Sequence, residues 1–178
     1  MRKIYIPWAH ATSIYDINPS FFTALRIETI LVDLDNTLDV HKNALPSLKA
    51  LKLKEVLADN GIEVIIISNN NQKRVATYAM ALGVRYLSKS NKPFTKRVQK
   101  YLDSINLKDE AKIIYIGDQV VNDVGFANKL GVKTILVDPL ENEDQVVTRI
   151  VRLWDKPLRQ SLKNNKLLVD WRYRYGDI

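Results

Sequence analysis

At 178 residues the chain is long enough for one fully cored domain and leaves little room for a second. Apolar residues at 46% and charged residues at 26% exclude a disordered or collagen-like chain, and the absence of cysteine excludes disulfide scaffolds, thiolate metal sites and thiol catalysis. The formal net charge of +7 points to anionic partners: phosphorylated substrates, nucleic acid or an anionic membrane surface.

The basic N-terminus is interrupted at once by Pro7 and His10, so it lacks the apolar core of a secretory signal. No apolar run approaches the ~20 residues that a membrane-spanning helix needs. A soluble protein is therefore expected, and a cytoplasmic one fits. From residue 27 apolar runs alternate with helix-like stretches. The pattern predicts a strand over 29–32 that stops at Asp33, then a helix over 45–60 stopped by Gly61. A strand over 64–67 runs into Ser68-Asn69-Asn70-Asn71, followed by a helix over 72–82 closed by Gly83. A short strand over 85–87 precedes Lys92-Pro93, where proline is expected to open a helix reaching about Ser104. Strand 112–116 ends at Gly117-Asp118, helix 123–130 is stopped by Gly131, and strand 133–137 ends at Asp138-Pro139.

Strands alternating with helices, the strands nearly continuous in apolar residues, imply an α/β protein: a single doubly wound, Rossmann-like parallel sheet flanked by helices on both faces, with right-handed crossovers. Residues 1–145 are expected to form this core with an N-terminal lead, and 146–178 a basic helical appendage. The last thirty residues hold eight basic side chains, Arg149, Arg152, Lys156, Arg159, Lys163, Lys166, Arg172 and Arg174, against three aspartates. Trp154, Leu153, Leu158 and Leu162 are interspersed among them. That composition fits packing onto the core, and it also fits docking on anionic lipid. Trp171-Arg172-Tyr173-Arg174-Tyr175 suits either nucleic-acid stacking or a terminal clasp.

Function in such sheets gathers at the carboxyl ends of the strands, and here those ends are acidic and polar. Asp33 and Asp35, separated by one residue, crowd like charges, and Asp118 and Asp123 bring four carboxylates to the same edge. Such crowding disfavours full ionisation unless a cation neutralises it, and a hard divalent ion with oxygen ligands, Mg²⁺ foremost, is the natural partner. The competing reading is four aspartates that merely cap or turn. Lys92 at an expected helix N-terminus is electrostatically misplaced unless something negative compensates it. Ser68 at a strand end can donate to a phosphoryl oxygen. Asn70 and Asn71 read as ordinary turn residues, and His10 and His41 as ordinary side chains.

Asp33-x-Asp35-Asn36-Thr37-Leu38, Ser68-Asn69-Asn70, Lys92-Pro93 and Gly117-Asp118-Gln119-x-x-x-Asp123 together resemble, in order and spacing, the four motifs of haloacid dehalogenase superfamily phosphatases. The nearer resemblance is to the small subfamily III, YqeG-like proteins, which include phosphatidylglycerophosphate phosphatases. It implies a Mg²⁺-dependent phosphomonoesterase. Asp33 would be the nucleophile that becomes an aspartyl phosphate. Asp35 would be the general acid and then base, its backbone carbonyl also on the metal. Ser68, Asn69 and Lys92 would hold substrate, Thr37 would support the first loop, and Asp118 and Asp123 would complete the metal site with Asp33. One departure is Asn122, where the YqeG pattern leads one to expect threonine.

Superfamily members often carry a cap domain between the first and second or the second and third motifs. The 35 residues from Asp33 to Ser68 and the 24 from Ser68 to Lys92 leave no room for one. An open site suits a phosphate on a large or membrane-held molecule, so the resemblance implies a lipid phosphate, phosphatidylglycerophosphate, as substrate, with the chain peripheral to the inner membrane face. Alternatives are a phosphatase for nucleotides, sugar phosphates or phosphoproteins, and a basic RNA- or ribosome-binding module with a vestigial site. A receiver domain fits less well, because it carries its acidic pair on the first strand and its phosphorylated aspartate on a middle one.

Overall fold

The computed structural model describes residues 2–141 and 146–177, the side chains of 146–154 and 176–177 excepted. Six strands form one sheet: β1 (Ala9–Ala11), β2 (Thr29–Val32), β3 (Glu63–Ile67), β4 (Arg85–Leu87), β5 (Ile113–Gly117) and β6 (Lys133–Val137). Their order is β1-β6-β5-β2-β3-β4 and every pairing is parallel. Six α-helices accompany them: α1 (Pro19–Ala24), α2 (Leu48–Asp59), α3 (Gln72–Leu82), α4 (Lys96–Ser104), α5 (Gly125–Leu130) and α6 (Val146–Asn164).

The central strands are apolar throughout because both sheet faces are covered. Along β2, Ile30 and Val32 face one layer and Leu31 the other, as the period of two requires. The first layer joins Phe21 and Phe22 of α1, Leu57 of α2 and Tyr78 and Leu82 of α3 to Ile66, Ile114 and Ile116. The second joins Val98 and Leu102 of α4 and Phe126 and Leu130 of α5 to Ile65, Ile67 and Tyr115. Among the described residues only α2 lies between β2 and β3 and only α3 between β3 and β4, so no cap domain is present.

Several boundaries differ from expectation for local reasons. α2 starts at Leu48 rather than residue 45, because Pro46 disfavours a helical Leu45 and Ser47 caps the helix by accepting from the Ala50 N–H. Pro93 does not open α4. The Lys92–Pro93 peptide is cis, Phe94 N–H closes a turn onto the Asn91 carbonyl, and the helix begins at Lys96. Lys92 therefore sits outside any helix terminus, and the dipole argument for it does not apply. The expected helix from 123 is preceded by one π-turn, Val120–Val124.

β1 is a strand absent from the sequence reading, three residues long and interrupted by polar His10. It exists because β6 pairs with it on one side and residues 169–171 cover the other. His10 N–H donates to the Val169 carbonyl, and His10 bridges Asp170. Trp171 is buried edge-on against Phe21 with ring centroids 5.1 Å apart, which makes this segment a clasp on the N-terminal lead and removes Trp171 as a stacking platform. Leu158 and Leu162 pack with Val120, Val124 and Leu136. Lys156, Lys163 and Lys166 are exposed, whereas Arg149, Arg152, Leu153 and Trp154, also weighed for lipid docking, lie outside the described side chains. No helix among the described residues is long and apolar enough to cross a membrane.

Candidate active site

β2, β3 and β5 are adjacent and parallel, so their carboxyl ends deliver Asp33, Ser68 and Asp118 to one edge. Asp33 is fixed by its own N–H donating to the Ile116 carbonyl of β5. The turn that follows needs a left-handed residue, and Asn36 at φ 66° fills it, an asparagine being tolerated there. The carboxyl groups of Asp33, Asp118 and Asp123 are all buried, with ligand oxygens within 4.8 Å of one another.

Asp123 reaches the group through the π-turn and the glycine before it. A β-carbon on Gly117 would lie 2.4 Å from Asp123 Cγ, so only glycine lets the carboxylate lie against the strand end. Gln119 N–H donates to Asp123 Oδ2 at 2.9 Å. Thr37 Oγ1 donates to Asp118 Oδ1 at 3.4 Å.

One ammonium contacts two of these three carboxylates. Lys92 Nζ lies 2.7 Å from Asp33 Oδ1, 2.7 Å from Asp123 Oδ1 and 2.6 Å from the Tyr115 hydroxyl. Tyr115 donates its own proton to Asp123 Oδ1 at 2.8 Å. All three Lys92 protons are thus engaged. Burial alone would depress the Lys92 pKa, but Asp123 and Asp33 outweigh it and hold the ammonium above its ordinary value.

Three carboxylates exceed the one lysine beside them, and the proton affinities of Asp33 and Asp118 show it. Burial pushes the Asp33 pKa up to about 7, against the opposing pull of Lys92 and with Asp123 adding to the rise. Burial, then Asp123 and Asp33, raise Asp118 well above the carboxylate range. Buried, crowded oxygens with an unmet negative charge are the donor set of a hard divalent cation. Asp33, Asp118 and Asp123 fit such an ion.

Asp35, expected with them, has its side chain elsewhere. Arg74 Nη2 donates to Oδ1 at 3.0 Å, Asn70 Nδ2 to Oδ2 at 3.0 Å, and His41 Nδ1 lies 3.3 Å from Oδ1. Arg74 comes from α3 and lies over the Tyr78 ring at 5.3 Å. Its Nε and Nη1 are buried without a partner among the described residues. Ser68 is buried, and its Oγ accepts from the Asn70 N–H at 3.1 Å, which leaves the hydroxyl proton to donate. Asn69 Oδ1 accepts from Lys92 N–H at 2.7 Å and Ser90 Oγ at 2.8 Å, and its amide donates to the Lys92 carbonyl at 2.9 Å. Asn69 thereby ties the Ser68 loop to the Lys92 loop. Asn122 donates to Gln119 Oε1 at 2.7 Å and stays out of the carboxylate group.

Four residues were not legible as site residues. Tyr115 reads as one more apolar strand position, and Arg74 as the exposed face of a helix. His41 and Asn70 read as ordinary surface and turn residues. A fifth contact comes from α6, where Arg159 donates to the Asp118 and Val137 carbonyls and to Asp138 Oδ1, while Asp155 Oδ1 accepts from the Val121 N–H of the π-turn at 3.1 Å. Only a tyrosine inside an aliphatic strand and a basic residue beside Asn71 at the helix start offered any signal.

Residues 1–141 match the family model described as mitochondrial PGP phosphatase. Over 173 residues, 96% of this chain and 98% of the other, the sequence is 33% identical to "Probable phosphatase YqeG" of Bacillus subtilis (strain 168). Among solved structures the fold is similar to an uncharacterized protein from Listeria monocytogenes serotype 4b, with TM-score 0.54 and 14% identity over 67% of this chain and 85% of that one. It is also similar to a candidate 3-deoxy-D-manno-octulosonate 8-phosphate phosphatase from Vibrio cholerae, with TM-score 0.50 and 14% identity over 82% of each chain. At such identities the two structures bear on the fold alone.

Proposed function

The chain belongs to the YqeG-like, PGP phosphatase family of haloacid dehalogenase subfamily III phosphatases, and from that premise we propose that it hydrolyses a lipid phosphomonoester, phosphatidylglycerophosphate, with Mg²⁺ and through an aspartyl phosphate on Asp33. The observation that carries the reading is the buried group of Asp33, Asp118 and Asp123, in which one lysine, Lys92, bridges Asp33 and Asp123. A carboxylate nucleophile divides the hydrolysis into two displacements.

In the first, an Asp33 carboxylate oxygen bonds to phosphorus as the ester P–O bond breaks, and Asp35 gives its proton to the departing alcohol. In the second, Asp35 takes a proton from water as that water displaces Asp33. Arg74, Asn70 and His41 hold the Asp35 carboxylate for both steps. Ser68 donates its free hydroxyl proton to a phosphoryl oxygen. Lys92 orients Asp33 and Asp123, and its direct donation to a phosphoryl oxygen requires exchange of one of its three present bonds. Mg²⁺, held by Asp33, Asp118, Asp123 and the Asp35 backbone carbonyl, would supply the positive charge that lets an anionic carboxylate approach an anionic phosphate.

The family's name and the open mouth support the lipid part of the reading. The connections that follow β2 and β4 lie on the carboxyl edge and carry exposed apolar residues: Leu45, leading into Leu48 of α2, and Phe94, two residues beyond Lys92. Leu48 is 85% and Phe94 64% exposed. Such side chains suit a site that works at a lipid surface.

The test is phosphate release from phosphatidylglycerophosphate in mixed micelles and from a panel of small esters, with and without Mg²⁺, for the wild type and Asp33→Asn. Metal-dependent release from the lipid, lost in Asp33→Asn, is expected. Brisk cleavage of small esters with none of the lipid would overturn the lipid assignment, and undiminished activity in Asp33→Asn would overturn the mechanism.

A further inference from the structure

Beside the phosphate-binding edge lies an open cavity of about 490 Å³ lined by Asn69, Lys89, Asn91 and Arg97. Its walls follow from how the loop after β4 is pinned to the loop after β3. Lys89 N–H donates to the Asn70 carbonyl at 2.9 Å, Ser90 N–H to the Ser68 carbonyl at 3.0 Å, and Ser90 Oγ and Lys92 N–H both bond to Asn69 Oδ1. To satisfy these bonds Lys89 and Asn91 both adopt left-handed backbone, at φ 48° and 65°. Lysine gains nothing locally from that conformation. Asn69 is common to both places: it lines the cavity, and it touches the backbone of Lys92, whose side chain holds Asp33.

The cavity offers donors and positive charge. Two of its four lining residues are cations and none is acidic. Asn69 Oδ1 is already used twice as an acceptor, and the donors left to a ligand are the Lys89 ammonium, the Arg97 guanidinium and the Asn91 amide NH₂. Neither Lys89 nor Arg97 has a carboxylate partner among the described residues. The one hydrogen bond of the Arg97 side chain runs from Nη2 to the Ser88 carbonyl at 3.5 Å. Four other arginines are neutralised by a carboxylate, Arg74 by Asp35, Arg85 by Glu63, Arg159 by Asp138 and Arg172 by Asp170, so their charge is not on offer to an anion as that of Arg97 is. A second cavity, about 500 Å³, has Leu102, Ile113, Leu130 and Val132 in its walls and carries Asp103 and Glu110 among its lysines. It therefore offers no comparable excess of charge.

We propose that the cavity is a second anion subsite, so that the substrate carries, besides the phosphomonoester placed on Asp33, a further phosphate group bound by Lys89 and Arg97. The inference rests on the phosphatase reading above and deepens it by naming the residues that bind the second phosphate of its substrate. A cavity of this size accommodates a phosphate with a small linker, and the shared Asn69 puts it within one residue of Ser68. The scissile phosphate has Ser68 and the buried carboxylate group, so the exposed Lys89 and Arg97 are available to another anion. Either the phosphodiester of a lipid headgroup or the second monoester of a soluble bisphosphate has that chemistry.

The experiment compares kcat/KM of wild type and the double variant Lys89→Ala/Arg97→Ala on three water-soluble esters in Mg²⁺. These are deacylated phosphatidylglycerophosphate (a monoester with a diester), a sugar bisphosphate and glycerol 3-phosphate. Loss of two charge-assisted contacts is expected to lower kcat/KM about tenfold or more for the double anions. Glycerol 3-phosphate should be little affected. A greater dependence for the deacylated lipid identifies the headgroup as the source, and a greater one for the bisphosphate a soluble substrate. An equal fall for all three esters would reduce the residues to general electrostatic attraction and overturn the subsite, as would no fall at all. Calorimetric binding of the deacylated lipid to Asp33→Asn, with and without the two alanines, reports on the subsite independently of turnover. Binding that weakens with the alanines while wild type releases no phosphate would sink the catalytic reading and keep the subsite, whereas binding unchanged by them would sink the subsite.

Discussion

Asp35 shows how much of this site depends on what a single side chain touches. One of its oxygens accepts from Arg74 and the other from Asn70, so the carboxylate is held at both ends. Arg74 also lies over the Tyr78 ring, which fixes the guanidinium from the other side. A general acid matters most when the departing alcohol is a poor leaving group. Arg74→Ala is therefore expected to lower kcat/KM for alkyl phosphates by about tenfold or more, within the roughly 10²–10⁴ that positioned proton transfer contributes, and to lower it less for p-nitrophenyl phosphate. Equal losses on both esters would show that Arg74 serves the fold and not the proton. kcat/KM is the quantity to compare because it reports through the first displacement, where the leaving group departs.

At the scale of elements, the decisive unit is the end of β5 with its π-turn. Gly117 closes the strand, the turn over Val120–Val124 swings Asp123 back, and the carboxylate lies where a β-carbon on residue 117 would be. Both Asp123 Cγ and Cβ would fall within 2.5 Å of that carbon, and neither is the free end of a flexible chain. Gly117→Ala should cost about 1–3 kcal/mol of stability and weaken Mg²⁺ binding, read by thermal melts with and without the ion. Stability and metal affinity both unchanged would mean that the turn can shift freely. α6 braces the same unit from behind, through Asp155 on the Val121 N–H and Arg159 on the Asp118 carbonyl. We propose on this basis that the C-terminal segment from 146, although separable in composition, acts through α6 as a brace of the catalytic edge.

Over the whole molecule, the buried acids set how stability varies with pH. The Asp33 pKa in the folded chain is about 7 against an ordinary 3.8, and Asp118 and Asp155 are raised too, mainly by burial. A carboxyl whose folded value is raised binds its proton more tightly in the folded state, so the stability it favours is present at low pH and lost as pH rises through the window from about 4 to about 7. Asp39, Asp138 and Asp170 are shifted downward and act with the opposite sign, below 3.8. The metal-free chain should accordingly melt higher at pH 5 than at pH 8, and Asp118→Asn should raise the melting temperature at pH 8 and flatten the difference. Mg²⁺ should stabilise the wild type at pH 8 and the variant far less. A wild-type melting temperature that climbs from pH 5 to pH 8 without metal would contradict this account.

The sequence by itself determined the parallel sheet, because buried strands need unbroken apolar runs and the helices between them carry local stop signals such as Gly83 and Gly131. It also placed Asp33 and Asp118 at one edge, since in such a sheet every strand end faces the same way and both follow strands directly, but it grouped the Asp35 carboxylate with them where the structure turns it to Arg74 and Asn70. Only the tertiary structure decided the rest. β1 is too short to announce itself and depends on β6 and on residues more than 150 positions away. Lys92 owes its place to Asp33 and Asp123 and not to a helix terminus. Tyr115, Arg74 and Arg159 became parts of the site through partners 8, 39 and 41 residues distant. Periodicity and capping are properties of neighbours along the chain, whereas the pairing of charges is a property of neighbours in space, and the packing of the two layers on the sheet chose those.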